Sequence, residues 1–566
     1  MSRCGTVFAA GAAAVAAVAA VALLALTGCT SPSGPGSGSP SGSATPSPSA
    51  SPSASPSPTP PPTLAWGPTE QDLADATATA AAMTPEQVAG QVMLSRYLGT
   101  DPAAAADLVS RYHLAGVILF GDNIASLDQV VATGATLQAA SVADGRDWPA
   151  IFSTDNEGGI VQRLNAQTGP WTSFPEFASA GAAGDADVVS AAAEAMATEL
   201  RASGLTVDFA PDADVTVGPA DVAIGTRSAG SDPHQVASAV DAALAGFAAG
   251  GVISTVKHFP GHGSLTVDSH QALPVQSATA AELAAGDLVP FAAAVEAGVP
   301  MVMMGHIAVT AWDPGVPASL SPAAYRVLRE DLAFTGVAVT DGLDMGALTQ
   351  TRTSAQIVVE ALGAGADLLL GPTDVAAAHA GIVAALADGT LPRARLDEAA
   401  GRVIAMMRWQ AHLAAAAGPV TPADVGSGAG ASRALSDAAV TIVAGECSGA
   451  LVGATIHLRG GSVADWNAFA AAAQRGGLAV APLEQGADTD VRLLTGATPS
   501  GSADVAIALD ETDLLADTDA RTRLALYGRT DQAFDAVVAV LTGAQTAPGH
   551  LPVPVQGLPA SACREP

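Results

Sequence analysis

The stretch "ISTVKHFPGHGSLTVDSHQ", from Ile253 to Gln271, begins with an apolar run and ends in a segment rich in polar side chains. The run is short and rich in β-branched residues, which is typical of a buried strand. Lys257 and His258 stand at its carboxyl end, and the glycines and the proline that follow are typical of a loop. A buried strand that brings charged side chains to its carboxyl end is the repeating unit of parallel α/β folds, whose sites lie at that end.

Seven other apolar runs of this kind occur along the chain, and Ala-rich stretches with helical spacing separate most of them. Near-continuous apolar strands that alternate with helices predict a parallel sheet covered on both faces. Eight such units within roughly 330 residues predict a (β/α)8 TIM-type barrel, with a doubly wound open sheet as the alternative. The predicted strands are 92–97, 116–121, 149–154, 206–211, 253–257, 301–307, 336–340 and 367–371.

Polar residues follow several of these strands at the same end. Asp155 and Glu157 follow the third strand, Asp212 follows the fourth, His306 ends the sixth and Asp341 ends the seventh. A single Asp after a strand is usually a cap or a loop residue. Because polar residues recur at these carboxyl ends, we expect an active site on that face, where barrel enzymes build their sites.

A second alternating region follows the barrel and predicts a smaller α/β (αβα) sandwich domain. A Gly/Ala/Ser-rich break near 417–432 separates the two regions. We therefore predict a catalytic barrel over 66–416 and a C-terminal sandwich over 417–566. The predicted strands of the second domain are 440–444, 454–458, 478–482, 490–494 and 503–509, and its helices include 463–475 and 529–542.

The first 65 residues predict export. Residues 1–28 carry an Ala/Val/Leu-rich run that ends in Leu-Thr-Gly before Cys29, which is similar to a lipoprotein signal peptide with Cys29 as the lipidated residue. An uncleaved N-terminal anchor is the alternative. Residues 29–65 are rich in Pro, Ser and Gly and predict an unfolded tether. We expect an exported protein that is lipid-anchored on the outer face of the cytoplasmic membrane, in the cell-wall layer, or released to the medium.

The charge of the chain limits its binding partners, and its cysteine content indicates a disulfide. The 566 residues include 54 acidic and 23 basic ones, for a formal net charge of −31. So few cations cannot neutralise phosphates over a wide face, so we expect no nucleic acid, and a membrane contact only through the lipid anchor. Cys447 and Cys563 remain once the two N-terminal cysteines are set aside, and in an exported chain they are candidates for a disulfide.

Lys257 is the only lysine in the chain, whereas arginine serves every other non-histidine basic position. Arg and Lys exchange freely on a surface, but not where a compact ammonium with three donors must fit a small site. We therefore expect a functional Lys257 in a confined site, where it offsets nearby carboxylates and keeps Asp341 ionised.

Two common catalytic motifs are absent from the sequence. No Gly-x-x-x-x-Gly-Lys-Ser/Thr loop and no His-Glu-x-x-His occurs, so neither nucleoside triphosphate chemistry nor a zincin site is expected. A zinc site is the alternative use of the segment, since a loop can present three or four ligands. Its candidate ligands are His258, His262, His270 and Asp268.

Asp268-Ser269-His270 predicts proton transfer. A carboxylate beside an imidazole fixes its tautomer and supports its protonated form, as in half of a catalytic triad. No Gly-x-Ser-x-Gly elbow stands at a strand end, so no serine nucleophile is expected. Asp341, at the end of "GVAVTD", can attack an acetal carbon instead. This is the arrangement of retaining glycoside cleavage, with His270 in place of the second carboxylic acid.

Four segments stand at or near the predicted strand ends: "DNEGGIVQR" at 155–163, "IGTRSAGSDP" at 224–233, "VKHFPGHG" with the Asp-Ser-His loop that follows it, and "VTDGLDMGA" at 339–347. Together they resemble family 3 glycoside hydrolases. The Asp-Ser-His loop resembles the β-N-acetylglucosaminidase branch in particular. The likeness runs from near residue 80 to the C-terminus, where "LSDAAVTIVAGE" is similar to the second domain of two-domain members.

The resemblance implies roles for individual residues. Asp341 is the implied nucleophile, and His270 is the implied general acid/base, assisted by Asp268 on a mobile loop. The implied sugar-binding residues are Asp155, Arg163, Arg227, Lys257 and His258. No cofactor and no metal is implied, and the implied partner is a small carbohydrate. Three departures bear on fine specificity: Asn156 and Ile160 stand where relatives often have Gln and Arg, and Gly342 stands where a larger or acidic residue is common.

These features predict an exo-acting, retaining β-N-acetylglucosaminidase that works through a covalent glycosyl-aspartate. Its expected substrates are GlcNAc-terminated cell-wall (peptidoglycan) fragments or chitin oligomers. A family 3 β-glucosidase or β-xylosidase, a β-N-acetylglucosaminide phosphorylase and a non-catalytic sugar-binding lipoprotein are the alternatives.

Overall fold

The computed structural model describes residues 63–497 and 501–563. The predicted signal peptide, the predicted lipid site Cys29 and nearly all of the predicted tether lie outside these residues. Within the described part of the chain, no helix is both long enough and apolar enough to cross a bilayer.

Eight parallel strands close into a barrel, as the sequence predicts. Strands β8, β1, β2, β3 and β4 form one sheet in that order, and β5, β6 and β7 form another. Isolated bridges join the two sheets on both sides: Val207 with Ile253 and Asp212 with Lys257 on one side, and Val339 with Leu368 on the other. The strands are β1 (Met93–Arg96), β2 (Gly116–Leu119), β3 (Ile151–Thr154), β4 (Val207–Asp208), β5 (Thr255–Phe259), β6 (Met301–Met304), β7 (Val337–Thr340) and β8 (Leu369–Leu370).

Helices surround the barrel and cover its strands. One apolar core runs from Trp66 to Leu435 and includes all or nearly all of the residues of β5, β6 and β7 that are apolar. Burying these strands on both faces accounts for their unbroken apolar runs. The helices up to the second domain are Glu70–Ala81, Pro85–Gln91, Pro102–Tyr112, Leu127–Ala143, Ala178–Ala183, Ala186–Ala202, Pro233–Gly250, Ala280–Ala285, Val289–Glu296, Pro322–Arg326, Gly346–Thr349, Ser354–Ala364, Val375–Asp388 and Arg393–Ala416.

The C-terminal region forms a second, six-stranded sheet in the order β9-β14-β13-β12-β10-β11. All neighbours are parallel except β9 and β14, which are antiparallel. The helices of this region are Ala429–Ala439, Val463–Arg475 and Asp531–Leu541. The strands are β9 (Thr441–Ala444), β10 (Thr455–Gly460), β11 (Ala479–Val480), β12 (Thr489–Leu494), β13 (Val505–Ala508) and β14 (Thr522–Ala525).

The second sheet packs against the barrel domain. One apolar cluster joins residues of this sheet to Ala178 and Ala182, on a helix of the barrel domain. Beside that helix, the backbone N–H of Glu176 donates to the carbonyl of the buried Tyr527 at 3.0 Å. The neighbouring carbonyl of Phe174 accepts the N–H of Gly159 at 3.0 Å. The second domain therefore supports the segment that contacts the hairpin after β3, whose strands are Asn156–Gly158 and Val161–Gln162.

Glu176 is a buried carboxyl at this junction. It is 3% exposed, and its Oε2 has no hydrogen-bond partner among the described residues. Burial, together with the negative charge of Asp510, raises the pKa of Glu176 to about 8. The carboxyl is therefore protonated in the folded protein at neutral pH, whereas in an unfolded chain it is ionised.

We expect the Glu176→Gln variant to remove a pH dependence of stability. Because the folded-state pKa lies above the unfolded one, Glu176 contributes stability at low pH that is lost as the pH rises through about 8. Between pH 6 and pH 8 the free energy of unfolding of the wild type should fall by about 2 kcal/mol more than that of the variant. Urea unfolding at pH 6 and at pH 8 measures this free energy for both proteins. An equal change between the two pH values in wild type and variant would contradict the prediction.

A disulfide joins Cys447 to Cys563 in the second domain. Their Cα atoms lie 5.4 Å apart, and 116 residues separate them in sequence. The bond ties the C-terminal segment to the loop after β9.

Candidate active site

A cavity of about 330 Å³ opens at the carboxyl ends of the barrel strands. It is lined by seven of the eight residues that the sequence implicates in catalysis or sugar binding: Asp155, Arg163, Arg227, Lys257, His258, His270 and Asp341. The eighth, Asp268, is hydrogen-bonded to His270. Strand ends from β3, β5 and β7 therefore bring together side chains that are far apart in the sequence.

Lys257 lies at the centre of a buried ionic cluster. Its side chain is 2% exposed, and its Nζ lies 3.0 Å from Asp155 Oδ1 and 2.5 Å from Glu157 Oε1. Burial lowers the pKa of the Lys257 ammonium, but the charges of Glu157 and Asp155 outweigh that effect and raise it above its ordinary value. Two of the three N–H donors thus bind carboxylates, and Lys257 also lines the cavity.

Glu157 was noted at a strand end in the sequence, but it was given no role in the predicted site. Arg227 binds it through Nε and Nη2 at 2.8 Å each, and Lys257 binds the same carboxylate. Burial raises the pKa of Glu157, but these two cations lower it to about 2. Since a buried carboxylate needs such partners to stay ionised, Glu157 fixes both cations at the base of the cavity. The Glu in "DNEGG", directly after a strand end, was the available signal.

Asp341 follows β7 and is held as a carboxylate. Its backbone N–H donates to the carbonyl of Met304, and its Oδ1 accepts the N–H of Gly342 at 2.7 Å. Burial raises the pKa of Asp341, but the imidazoles of His258 and His306 and the Gly342 N–H lower it to about 2. The expected influence of Lys257 on this group is therefore secondary to that of the two histidines.

His306 is hydrogen-bonded to the residue that follows Asp341. It is fully buried, its Nδ1 lies 2.8 Å from Ser319 Oγ, and its Nε2 lies 2.9 Å from the carbonyl of Gly342. Burial lowers the pKa of His306, and the charge of Asp341 opposes that effect. Because its partner is a carbonyl oxygen, Nε2 donates to Gly342 and fixes the backbone beside Asp341.

His270 and Asp268 form a pair on the segment 263–274, which is called the dyad loop below. Nδ1 of His270 lies 2.8 Å from Asp268 Oδ1, and the imidazole is 71% exposed. Burial raises the pKa of Asp268, but the N–H groups of His270 lower it below its ordinary value. An ionised Asp268 fixes the His270 tautomer with Nε2 free to exchange a proton with a ligand.

A second group of buried residues lies beneath His258. The Nδ1 atom of His258 lies 2.7 Å from Asp214 Oδ2 and 3.8 Å from Asp212 Oδ2. Asp212 Oδ2 has no hydrogen-bond partner among the described residues, and Arg227 Nη2 lies 3.6 Å from it. Burial and the charge of Asp214 raise the pKa of Asp212 well above its ordinary value. Within residues 63–497 and 501–563, these three carboxylate and imidazole groups are the cluster compact enough to hold a cation.

The zinc set considered from the sequence is not brought together. His270 is paired with Asp268 on the exposed loop, whereas the rings of His258 and His262 have centroids 6.1 Å apart. His258 is already bonded to Asp214, and the guanidinium of Arg227 beside Asp212 supplies the positive charge that a cation would bring. Arg227 and His258 therefore offset part of the negative charge of this cluster, while Asp212 Oδ2 keeps no hydrogen-bond partner among the described residues.

Arg163 and Arg96 flank an aromatic ring at the cavity wall. The Cζ atoms of Arg96 and Arg163 lie 4.0 Å and 5.6 Å from the Phe120 ring centroid. Arg96 also binds Asp344 through Nη1 at 2.7 Å. Among the described residues, the buried Nε of Arg163 has no hydrogen-bond partner. Sequence reasoning did not find Arg96, Phe120 or Asp344, because an Arg at a strand end carries no signature of its own.

The three departures from the family pattern have different settings. Asn156 is buried and structural, since its Oδ1 accepts the N–H of Leu164 and its own N–H binds Asp208. Ile160 is 68% exposed and lies outside the cavity lining. Gly342 lines the cavity, and a Cβ there would come within 3.0 Å of Asp344 Oδ1. Of the three, Gly342 has the most direct access to a ligand.

Residues 85–406 match the glycosyl hydrolase family 3 N-terminal domain. The chain belongs to glycoside hydrolase family 3. Beta-hexosaminidase LpqI from Mycobacterium tuberculosis is 35% identical over 314 residues, which are 54% of this chain and 79% of that protein. Beta-hexosaminidase A from Pseudoalteromonas piscicida is 33% identical over 333 residues, and the match covers 53% of this chain but only 55% of that relative. The family 3 member described here is thus a glycoside hydrolase.

Solved structures support the two-domain architecture. A glycoside hydrolase family 3 beta-N-acetylglucosaminidase from Paenibacillus sp. superposes with a TM-score of 0.75 at 27% identity, over 85% of this chain and 100% of that one. The beta-glucoside phosphorylase BglX superposes with a TM-score of 0.72 at 18% identity, which shows a shared fold alone.

Proposed function

We propose that this family 3 hydrolase is an exo-acting, retaining β-N-acetylglucosaminidase that forms a covalent glycosyl-aspartate. The observation that carries the proposal is the pairing of an ionised Asp341 at the end of β7 with the Asp268–His270 dyad at the same cavity. A low-pKa carboxylate suits a nucleophile, and an imidazole with a free Nε2 suits a proton carrier.

In the first step, Asp341 attacks the anomeric carbon and the glycosidic bond breaks. His270, protonated at Nε2, gives its proton to the departing oxygen, and Asp268 stabilises the imidazolium until it does so. In the second step, neutral His270 takes a proton from water, and the water oxygen displaces Asp341 from the anomeric carbon. The sugar is released with its configuration retained, and both residues return to their starting states.

The polar lining of the cavity suits the non-reducing sugar. Asp155, Lys257 and Arg163 supply acceptor and donor groups to that lining, and a pyranose ring offers closely spaced hydroxyls that both donate and accept. Relatives named beta-hexosaminidase and beta-N-acetylglucosaminidase favour GlcNAc as that sugar.

We infer that the natural substrates are GlcNAc-terminated peptidoglycan fragments or chitin oligomers. The support is the N-terminal sequence, whose signal-like residues 1–28, lipid site Cys29 and Pro-rich tether suit a lipoprotein moored in the cell-wall layer. Globomycin treatment of expressing cells, which blocks lipoprotein processing, tests this placement. An unchanged mass of the mature protein would contradict the lipoprotein.

The test of the activity is turnover of aryl β-GlcNAc and aryl β-Glc, each with and without phosphate. We expect hydrolysis of the GlcNAc compound to free GlcNAc, with kcat/KM at least about 100-fold above that for the glucoside. A preference for aryl glucoside or xyloside would move the enzyme to the β-glucosidase class. Release of GlcNAc 1-phosphate in phosphate buffer would make it a phosphorylase, which a neutral histidine base permits because it repels an anionic acceptor less than a carboxylate does.

The His270→Ala variant should depend on the leaving group. With dinitrophenyl β-GlcNAc, whose leaving group needs no proton, we expect kcat/KM within a few-fold of wild type. With the unsubstituted phenyl compound, we expect a loss of about 100- to 1000-fold, since general acid help is absent. A uniform loss across the series would contradict the role of His270 as the acid.

A further inference from the structure

The exposed His270 imidazole has little around it to fix its position. Its ring is 71% exposed, and its hydrogen-bond partner within the described chain is Asp268, which stands on the same loop. A general acid must be held close to the departing oxygen, since small displacements cost large factors in rate. The position of the dyad must therefore come from contacts made by the loop backbone and by its other side chains.

Ser269, between the two dyad residues, is the buried member of the three. It is 2% exposed, and its Oγ lies 3.0 Å from Nε2 of His262, which is also 2% exposed. His262 in turn is anchored, because its backbone N–H donates to Asp214 Oδ1 at 2.5 Å. The pKa of His262 is lowered by burial, so the ring is neutral and shares one hydrogen bond with Ser269 in either tautomer.

The same loop also docks on the segment that follows the nucleophile. The carbonyl of His270 accepts the N–H of Gly346 at 3.2 Å, and the carbonyl of Ser269 accepts the N–H of Ala347 at 3.3 Å. A Cβ on Gly346 would lie 2.7 Å from the His270 carbonyl, so the loop can approach this closely only because residue 346 is a glycine. Ser269 is thus held from the barrel side by His262 and from the β7 side by backbone N–H groups.

We propose that the His262–Ser269 hydrogen bond is a latch that sets where the His270 imidazole stands. His262 and Ser269 are then positioning residues for the acid/base step, and neither transfers a proton to the substrate. The inference rests on the proposed glycosidase function, because it assigns His270 the acid/base role.

The first test is the Ser269→Ala variant on the series of aryl β-GlcNAc substrates. A misplaced acid affects only substrates that need it, so we expect kcat/KM for the dinitrophenyl compound within about twofold of wild type and a loss of about 10- to 100-fold for the phenyl compound. Ser277→Ala, on an exposed residue just beyond the loop, is the matched control and should equal wild type on both. An equal loss on all substrates would indicate a merely structural role and overturn the latch.

A double-mutant cycle tests the partner. In the His262→Asn variant the side chain is too short to reach Ser269. Its loss of kcat/KM on the phenyl substrate should match that of Ser269→Ala. The double variant should lose no more than either single variant, because the two changes break one interaction. A double variant whose loss of kcat/KM is the product of the two single losses would contradict a shared hydrogen bond.

A third measurement separates the latch from the proposed function. Amide hydrogen exchange of the dyad loop in the full chain should be several-fold faster in Ser269→Ala than in wild type and unchanged in Ser277→Ala. Equal exchange in all three proteins overturns the latch. A wild type that turns over no β-GlcNAc substrate overturns the proposed function, and the exchange measurement still decides the latch.

Discussion

Replacing Asp341 with alanine is expected to lower kcat/KM on aryl β-N-acetylglucosaminides by about 10⁴-fold or more, while the fold is retained. The reason is that Asp341 is the proposed nucleophile, whereas the other carboxylates described at the cavity are held in ion pairs: Asp155 with Lys257, Glu157 with Arg227 and Asp344 with Arg96. Its pKa of about 2 makes it a carboxylate throughout the working pH range, so the loss should be nearly independent of pH.

Added azide should partly restore turnover of the Asp341→Ala variant. The small anion can enter the space that the carboxylate leaves, and it should give a glycosyl azide of inverted configuration. Asp331→Ala, an exposed residue before β7, is the matched control and should behave as wild type. Near-wild-type turnover in Asp341→Ala, without azide, would contradict the nucleophile assignment.

The second large effect is expected for Lys257→Arg, although lysine and arginine can usually replace each other on a protein surface. The ammonium of Lys257 fits between Asp155 and Glu157, and the Glu157 carboxylate already binds the Arg227 guanidinium. A second, planar guanidinium would extend into the sugar-binding space and displace the ligand. We expect kcat/KM to fall by about 100-fold, a factor that a displacement of about 1 Å can produce.

The reverse kind of exchange supplies the control for Lys257→Arg. Arg111, which forms an exposed ion pair with Asp107, should accept lysine with no change in activity or melting temperature. Wild-type kcat/KM in Lys257→Arg would show that any cation serves at this position, and would leave the solitary lysine without a functional explanation.

The eight barrel strands could be predicted from the sequence because each is buried on both faces and reads as an apolar run. Strand β14 (Thr522–Ala525) was missed, since Arg523 interrupts its run and binds backbone carbonyls instead of pointing to solvent. The contact between Glu176 and Tyr527 could not be predicted either. Pairings across a domain junction depend on the packing of surfaces that no local pattern describes.

In the candidate site too, residues within local sequence patterns could be predicted, whereas residues that matter through tertiary contacts could not. Asp341, His270 and Lys257 were found because each stands at a strand end or in a recognisable motif. Glu157 was noted at a strand end but given no role, because its importance comes from Arg227, 70 residues away, and from Lys257, farther still. Likewise, His262 belongs to the quoted segment, but only the folded loop brings its Nε2 to Ser269.

The most direct test of the account is covalent trapping with a 5-fluoro β-N-acetylglucosaminyl fluoride, followed by peptide mapping. Fluorine slows both steps, whereas the fluoride leaving group speeds formation of the intermediate, so the glycosyl-enzyme accumulates. We expect one sugar per chain, attached to Asp341 within "VTDGLDMGA". A label on another residue, or rapid turnover with no label because the substrate's own acetamido oxygen is the nucleophile, would contradict the account.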